Sequence, residues 1–218
     1  MDLLEGLATT RAIRRYRPDP IPEDDLATML WHATRAPTGS NRQSYRFVVL
    51  RDDAVSREAK ALLGGAFRAA WNDKRRDGGF DEGSGRDPSS PKARAAATMQ
   101  HYVDHFEQIP VVVLPCLVRY REPNPYEGAS IYPTCQNLLL AARALGYGGV
   151  LTMWHQGVED DVRALLGIPD GAAISATITL GIPEGRHGPV RRRPLGDVIA
   201  DGHWDRAAAW AVDPSGRP

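Results

Sequence analysis

The stretch Ile109-Pro110-Val111-Val112-Val113-Leu114-Pro115-Cys116-Leu117-Val118 constrains this chain more than any other. It carries no charge and is far shorter than the roughly 20 apolar residues of a membrane span. Its length suits a strand buried in a core. Such a strand needs layers packed against it, and the sequence on either side supplies helices.

Leu3, Leu4 and Leu7 recur at helical spacing and predict a short first helix. Pro22 followed by Glu23, Asp24 and Asp25 starts a second helix, acids at the positive end of its dipole, running through Leu26, Met29, Leu30 and Ala33 to about Arg35. Residues 46–50 read as a strand, and 51–76 as a helix with Leu62, Leu63, Phe67 and Trp71 on its packed face. Residues 92–106 predict another helix. Ser130 is a candidate N-cap for a helix from Ile131 to about Leu145, closed by Gly146. Gly148 to Thr152 is a strand whose leading glycines allow a backbone or ligand to come close. Val158 to Leu166 reads as a helix, and Ala173 to Leu180 as one strand with Ile174, Ala176, Ile178 and Leu180 alternating.

Helices interleaved with isolated apolar strands predict an α+β fold, a central sheet covered by helices, in a single domain over residues 1–218. Residues 77–91 are rich in Gly, Ser, Asp and Pro and are expected to form a mobile excursion or lid. Residues 196–218 form a C-terminal tail containing Trp204 and Trp210.

Charge narrows the function classes. The chain has 27 Lys and Arg against 27 Asp and Glu, so no global field favours nucleic acid or an anionic membrane. Two cysteines, Cys116 and Cys135, exclude a disulfide framework and point to a reducing compartment, with the cytoplasm as the expected location. Cys135 sits in apolar company and reads as an inert packed thiol.

Against that neutral balance, two local clusters stand out. Arg11, Arg14, Arg15 and Arg17 crowd seven residues near the start, and Arg191-Arg192-Arg193 lies about 180 residues downstream. Guanidinium forks match phosphate oxygens and stay charged at working pH. Taken alone the first cluster reads as a solvated face, and the second reads equally well as an exposed basic tail. Pro37-Thr38-Gly39-Ser40-Asn41 offers hydroxyls and amides just ahead of a strand, suited to a planar heterocycle or sugar chain or to a plain polar turn. His101 and His105 have the spacing of one helix face, but Tyr102 stands where a metalloprotease needs Glu. The glycines at 146, 148 and 149 follow a helix and lack the dinucleotide fingerprint, and no P-loop or nucleophile elbow occurs.

Thr10-Arg11-Ala12-Ile13-Arg14-Arg15-Tyr16-Arg17-Pro18, Ala36-Pro37-Thr38-Gly39-Ser40-Asn41-Arg42-Gln43 and the run from Gln136-Asn137 to Leu145-Gly146 together resemble the nitroreductase family of FMN-dependent oxidoreductases. Leu180-Gly181-Ile182-Pro183 and Arg191-Arg192-Arg193-Pro194-Leu195 resemble its last strand and closing basic motif. The resemblance spans almost the whole chain.

It implies a mixed or antiparallel sheet flanked by helices, in an intertwined homodimer with FMN at the interface and NAD(P)H as electron donor. By motif position, Arg11, Ala12, Ile13, Arg14 and Arg15 belong to the cofactor site, and Arg191, Arg192 or Arg193 closes on the phosphate. Pro37, Thr38, Gly39, Ser40 and Asn41 line the flavin from the partner subunit. Leu151, Thr152 and Met153 bring backbone near its ring, and Ser130 is a further cofactor candidate. The implied activity is hydride transfer through FMN to an electron-poor acceptor such as a nitroaromatic or quinone, without a catalytic side chain, metal, nucleic acid or membrane. Two departures bear on this. Thr10-Arg11-Ala12 stands where the family commonly has Arg-Arg-Ser, and Gln43-Ser44-Tyr45 where it commonly has Gln-Pro-Trp. The weakened phosphate motif keeps open a second possibility, a scaffold that stores or senses flavin without turning over.

Overall fold

The computed structural model describes residues 1–214. The last four residues of the expected tail lie outside the described residues. Helices α1 (Leu3–Thr9) and α2 (Glu23–Ala33) precede strand β1 (Tyr45–Leu50). Helices α3 (Ala54–Asp77) and α4 (Pro91–Asp104) lead to strand β2 (Val111–Val118). Helix α5 (Tyr132–Ala144), strand β3 (Gly148–Thr152), helix α6 (Glu159–Leu166) and strands β4 (Ala172–Ile174) and β5 (Thr177–Gly181) complete the order. The sheet runs β1-β2-β5-β3 with β4 also on β2, and every pairing is antiparallel. The architecture is α+β.

β2 is central, as its composition requires. Val112, Leu114 and Cys116 face a core built by α3, α4 and α6 around Leu63, Phe67, Trp71, Val103 and Val162. Val111, Val113 and Leu117 face the opposite core, with Met29 of α2 and Leu138 of α5. Alternate side chains thus enter two cores, each fully buried large side chain contributing about 1.5–3 kcal/mol. Asp53 caps α3 by accepting from the Ser56 amide at 3.0 Å, and Ser90 caps α4 by accepting from the Ala93 amide at 3.0 Å.

Three expectations are corrected. The strand expected over 173–180 is two strands, because Pro115 in β2 has no N–H to give and the ladder breaks opposite it. Residues 175–177 face residues 114 and 115, one residue too many, and the Ser175 amide donates to the Pro115 carbonyl at 2.8 Å. The extra residue flips the alternation, so Ile174 enters one core while Ile178 and Leu180 enter the other. Ser130 does not cap α5. It ends a turn over Glu127–Ser130, and its hydroxyl accepts from the Gly39 amide at 3.2 Å.

The segment over 77–91, expected as a mobile excursion or lid, is a turn-rich connector with contacts to the helices it joins. Phe80 meets Trp71 edge-on at 5.3 Å, Arg75 holds Asp81 at 2.8 Å, and the Ser90 hydroxyl donates to the Ser84 carbonyl at 2.6 Å. Helix α1 forms where its leucines predict, but Leu3, Leu4 and Leu7 are 67%, 55% and 50% exposed, an apolar stripe with no cover among the described residues. In the tail, Trp204 and Trp210 are exposed as well.

Candidate functional site

The two ends of the chain zip together beside β3. The Ile13 amide donates to the Gly149 carbonyl at 3.0 Å, the Arg17 amide to Ile182 at 2.8 Å and the Glu184 amide to Arg15 at 3.1 Å. Beyond them the amides of Gly188 and Val190 donate to the carbonyls of Thr9 and Ala8 at 3.3 and 3.2 Å. Gly148 makes the approach possible, since a Cβ there would lie 2.7 Å from Ile13 Cγ1. Residues 182–190 therefore run back along residues 8–17, carrying the late arginines to the early ones.

The result is a cleft of about 750 Å³ lined by Arg11, Ala12, Arg14, Arg191 and Arg192, with Thr10, Pro91, Pro189 and Val190. Arg94 of α4 also lines it. Five guanidiniums share this wall and no carboxylate does. Arg14 Nε is buried without a hydrogen-bond partner among the described residues, and an unpaired buried donor costs about 1–3 kcal/mol. The chemistry of this donor set fits a phosphate-bearing ligand such as FMN.

Not every expected residue reaches the cleft. Arg15 and Arg193 are exposed and lie outside its lining, and Ile13 acts through its backbone while its side chain packs over Gly148. Arg94 was not singled out from sequence. The signal was present in Ser90-Pro91, a helix start that fixes a basic residue one turn later.

Arg14 also lines a second cleft of about 300 Å³ with Tyr16, His101, Tyr102, His105 and Glu184. Tyr16 and Tyr102 both share hydrogen bonds with the Thr179 hydroxyl, at 2.8 and 3.2 Å, and burial raises both phenols above their ordinary pKa. His101 and His105 stack at 4.1 Å. Desolvation, then the neighbouring His105 and Arg15, holds His101 below the usual imidazole value. No cluster of three or more metal-ligating side chains occurs among the described residues. Cys116 and Cys135 are buried, free and pushed up by burial to about 11, as packed thiols should be.

The other expected elements gather elsewhere. Strand register places Tyr45 opposite Leu117 at one end of the sheet, and Val111, Leu180 and Gly149 side by side at the other. The loop Pro37, Thr38, Gly39, Ser40, Asn41 stands at the first end, tied through Gly39 to Ser130. The arginine cleft stands at the second. Within one chain these two sets do not form one site. Leu151, Thr152 and Met153 are half-buried and lead from one end toward the other. Thr152 Oγ1 is buried without a partner, and Met153 lines a cleft with Arg119, Gly128 and Ile131. The loop is held in an uncommon shape, with Ser40, Asn41 and Gln43 at φ of 52°, 51° and 51°. Left-handed backbone costs an L-residue roughly 1–2 kcal/mol.

This fold and cleft define an α+β domain that gathers cations from early and late segments of the sequence around one cleft. The chain belongs to the nitroreductase family, whose model matches residues 7–182. A protein of Thermus thermophilus named NADH dehydrogenase is 31% identical over 91% of this chain and 95% of its own length. Among solved structures, an FMN- and NADPH-dependent nitroreductase variant from Sphigopyxis sp. strain HMH matches with a TM-score of 0.71 at 20% identity, covering 93% of this chain and 99% of that one. Iodotyrosine deiodinase bound to FMN and 3-iodo-L-tyrosine matches at 0.66 and 18%, covering 93% and 99%. At these identities the two structures establish the fold.

Proposed function

We propose that this protein is an FMN-dependent oxidoreductase that moves hydride from NADH or NADPH to an electron-poor organic acceptor, a nitroaromatic or quinone. It works in the cytoplasm as a homodimer with FMN held between the copies. The observation that carries the reading is the acid-free cleft where Arg11, Arg14, Arg191 and Arg192 converge from opposite chain ends.

When bound, FMN supplies a carrier that accepts hydride and gives it up again. The chain supplies position and charge. Arg11, Arg191 and Arg192 hold the phosphate through charge-assisted hydrogen bonds, and Arg94 adds a fourth cation. Arg14, with its buried unpaired Nε, offers positive charge where the ring's reduced form gathers negative charge. Because the loop 37–41 and the arginine cleft stand at opposite ends of one sheet, the loop meets the ring only when a second copy brings it. The exposed leucines of α1 and the exposed tryptophans of the tail are apolar surface suited to that association.

The test is anaerobic mixing of FMN-loaded protein with NADH and with NADPH. Loss of the oxidised flavin band with either donor supports the reading, and a flavin that stays oxidised with both refutes it. A storage or sensing role, suggested by Thr10 and Ala12, predicts instead that no quinone or nitroaromatic is turned over steadily.

A further inference from the structure

We infer that Arg42, Tyr120 and Arg121 form a cationic aromatic subsite that selects planar acceptors carrying a carboxylate or sulfonate. The inference rests on the oxidoreductase reading above and names the class of acceptor.

The Arg42 guanidinium lies 4.4 Å from the centre of the Tyr120 ring and that of Arg121 5.3 Å from the same ring. A cation over a π face is held by the ring's quadrupole, and its remaining N–H donors stay free for an anion. The cleft beside them is lined by Ser44, Arg119, Tyr120, Arg121, Asn124 and Glu127, among others, and Glu127 is the sole acid among them. Glu127 is already engaged. It accepts from Arg119 Nε at 3.0 Å and Arg119 Nη2 at 2.7 Å, and that contact holds its carboxyl below the usual range. Neither Arg42 nor Arg121 has an ion-pair partner among the described residues. Tyr120 and Arg121 line this cleft, and Arg42 lies over the same ring just outside the lining.

The placement is built into the backbone. Arg42 stands between Asn41 and Gln43, both at positive φ, and its amide donates to the Gly39 carbonyl at 3.2 Å. Gly39 is tied to Ser130, which lines the same cleft as Tyr120 and Arg121. Strained backbone persists where surrounding structure holds it, and such positions cluster at ligand clamps. In the dimer proposed above, the loop that lines the ring of FMN carries Arg42 as its next residue. An acceptor stacked on the ring thus meets Tyr120 as an aromatic wall and the two guanidiniums as a fork for its anionic group.

The test compares a naphthoquinone sulfonate with menadione, an uncharged naphthoquinone. Each takes one hydride from NAD(P)H and one proton from water, giving the hydroquinone and NAD(P)+. In the wild type, the preference for the sulfonate, as the ratio of the two kcat/KM values, should fall about tenfold in Arg121→Gln and further in Arg42→Gln/Arg121→Gln. Calorimetric titration of FMN-loaded protein with naphthalene sulfonate, which cannot be reduced, should show the same loss of affinity. An unchanged ratio with turnover intact overturns the subsite alone. So does a rise confined to the KM of NADPH relative to NADH, which would assign the cations to the donor's phosphate. Failure to reduce either quinone while NAD(P)H still bleaches the flavin overturns the subsite alone, and a flavin left oxidised by both donors ends the oxidoreductase reading and the subsite with it.

Discussion

Replacing Gly148 by Ala tests whether the close approach of the first cationic segment to β3 builds the cofactor cleft. A Cβ on Gly148 would stand 2.7, 2.9 and 3.0 Å from Ile13 Cγ1, Cβ and Cγ2. Ile13 is only 8% exposed and β-branched next to the backbone, so it has little room to turn away. Overpacking of this kind costs about 1–3 kcal/mol. Displacing Ile13 also stretches the 3.0 Å bond from its amide to Gly149, worth roughly 0.5–1.5 kcal/mol. Together the loss is about 1.5–4.5 kcal/mol. Arg11 and Arg14 flank Ile13, so FMN affinity falls with stability. Urea denaturation of the flavin-free protein measures the first, and quenching of FMN fluorescence on titration measures the second. Gly65→Ala is the control: nothing lies within 4 Å of its Cβ position in α3, and the change should stabilise by roughly 0.5–1 kcal/mol. If Gly148→Ala matched that control and bound FMN as the wild type does, the reasoning would be refuted.

Two further outcomes are expected. Arg11→Ala/Arg192→Ala removes charge-assisted contacts without touching either core, so FMN should be released, with Kd rising by about two orders of magnitude or more and an unchanged helical circular dichroism spectrum; unaltered flavin occupancy would count against the phosphate assignment. Burial holds His155 below its ordinary value of 6.5, with its Nε2 bonded to the Ile174 carbonyl at 3.0 Å. The unfolded chain therefore takes up that proton first as pH falls. The stability this contributes is present above about pH 6.5 and is lost as pH falls through the folded value. His155→Gln should flatten the acid side of the stability profile by up to about 1.4 kcal/mol per pH unit, and a profile of unaltered slope would show that this imidazole is not what titrates.

Much of the fold was legible because it depends on local pattern. The uncharged run at β2 required a doubly buried strand, and the spacing of Leu63, Phe67 and Trp71 gave the packed face of α3. Ile174 was misplaced because its register depends on Pro115, a residue on a different strand, and no periodicity within residues 173–180 records it. Ser130 had the chemistry of a cap, but its hydroxyl serves Gly39, a partner 91 residues away in sequence. The connector over 77–91 lacks apolar content except for Phe80, and that one ring is what docks it on Trp71. At the candidate site the two arginine clusters were visible, but their meeting rests on backbone bonds between residues 8–17 and 182–190, which sequence separation hides. Arg94 is placed by the local helix start at Ser90-Pro91, but its meeting with the two arginine clusters is long-range and leaves no mark in the sequence around it.

The claim that one FMN is held by the arginine cleft of one copy and the loop of another is tested most directly with mixed dimers. Arg11→Ala/Arg192→Ala breaks the cleft, and Ser40→Val/Asn41→Val breaks the loop, because β-branched residues resist the positive φ at both positions. Differently tagged copies of the two variants are assembled, the mixed dimer is isolated, and its flavin content is measured. A shared site predicts that neither variant holds FMN alone while the mixed dimer holds one, pairing the intact cleft of one copy with the intact loop of the other. A site contained within a single chain leaves every copy damaged, and a mixed dimer free of flavin would contradict the account.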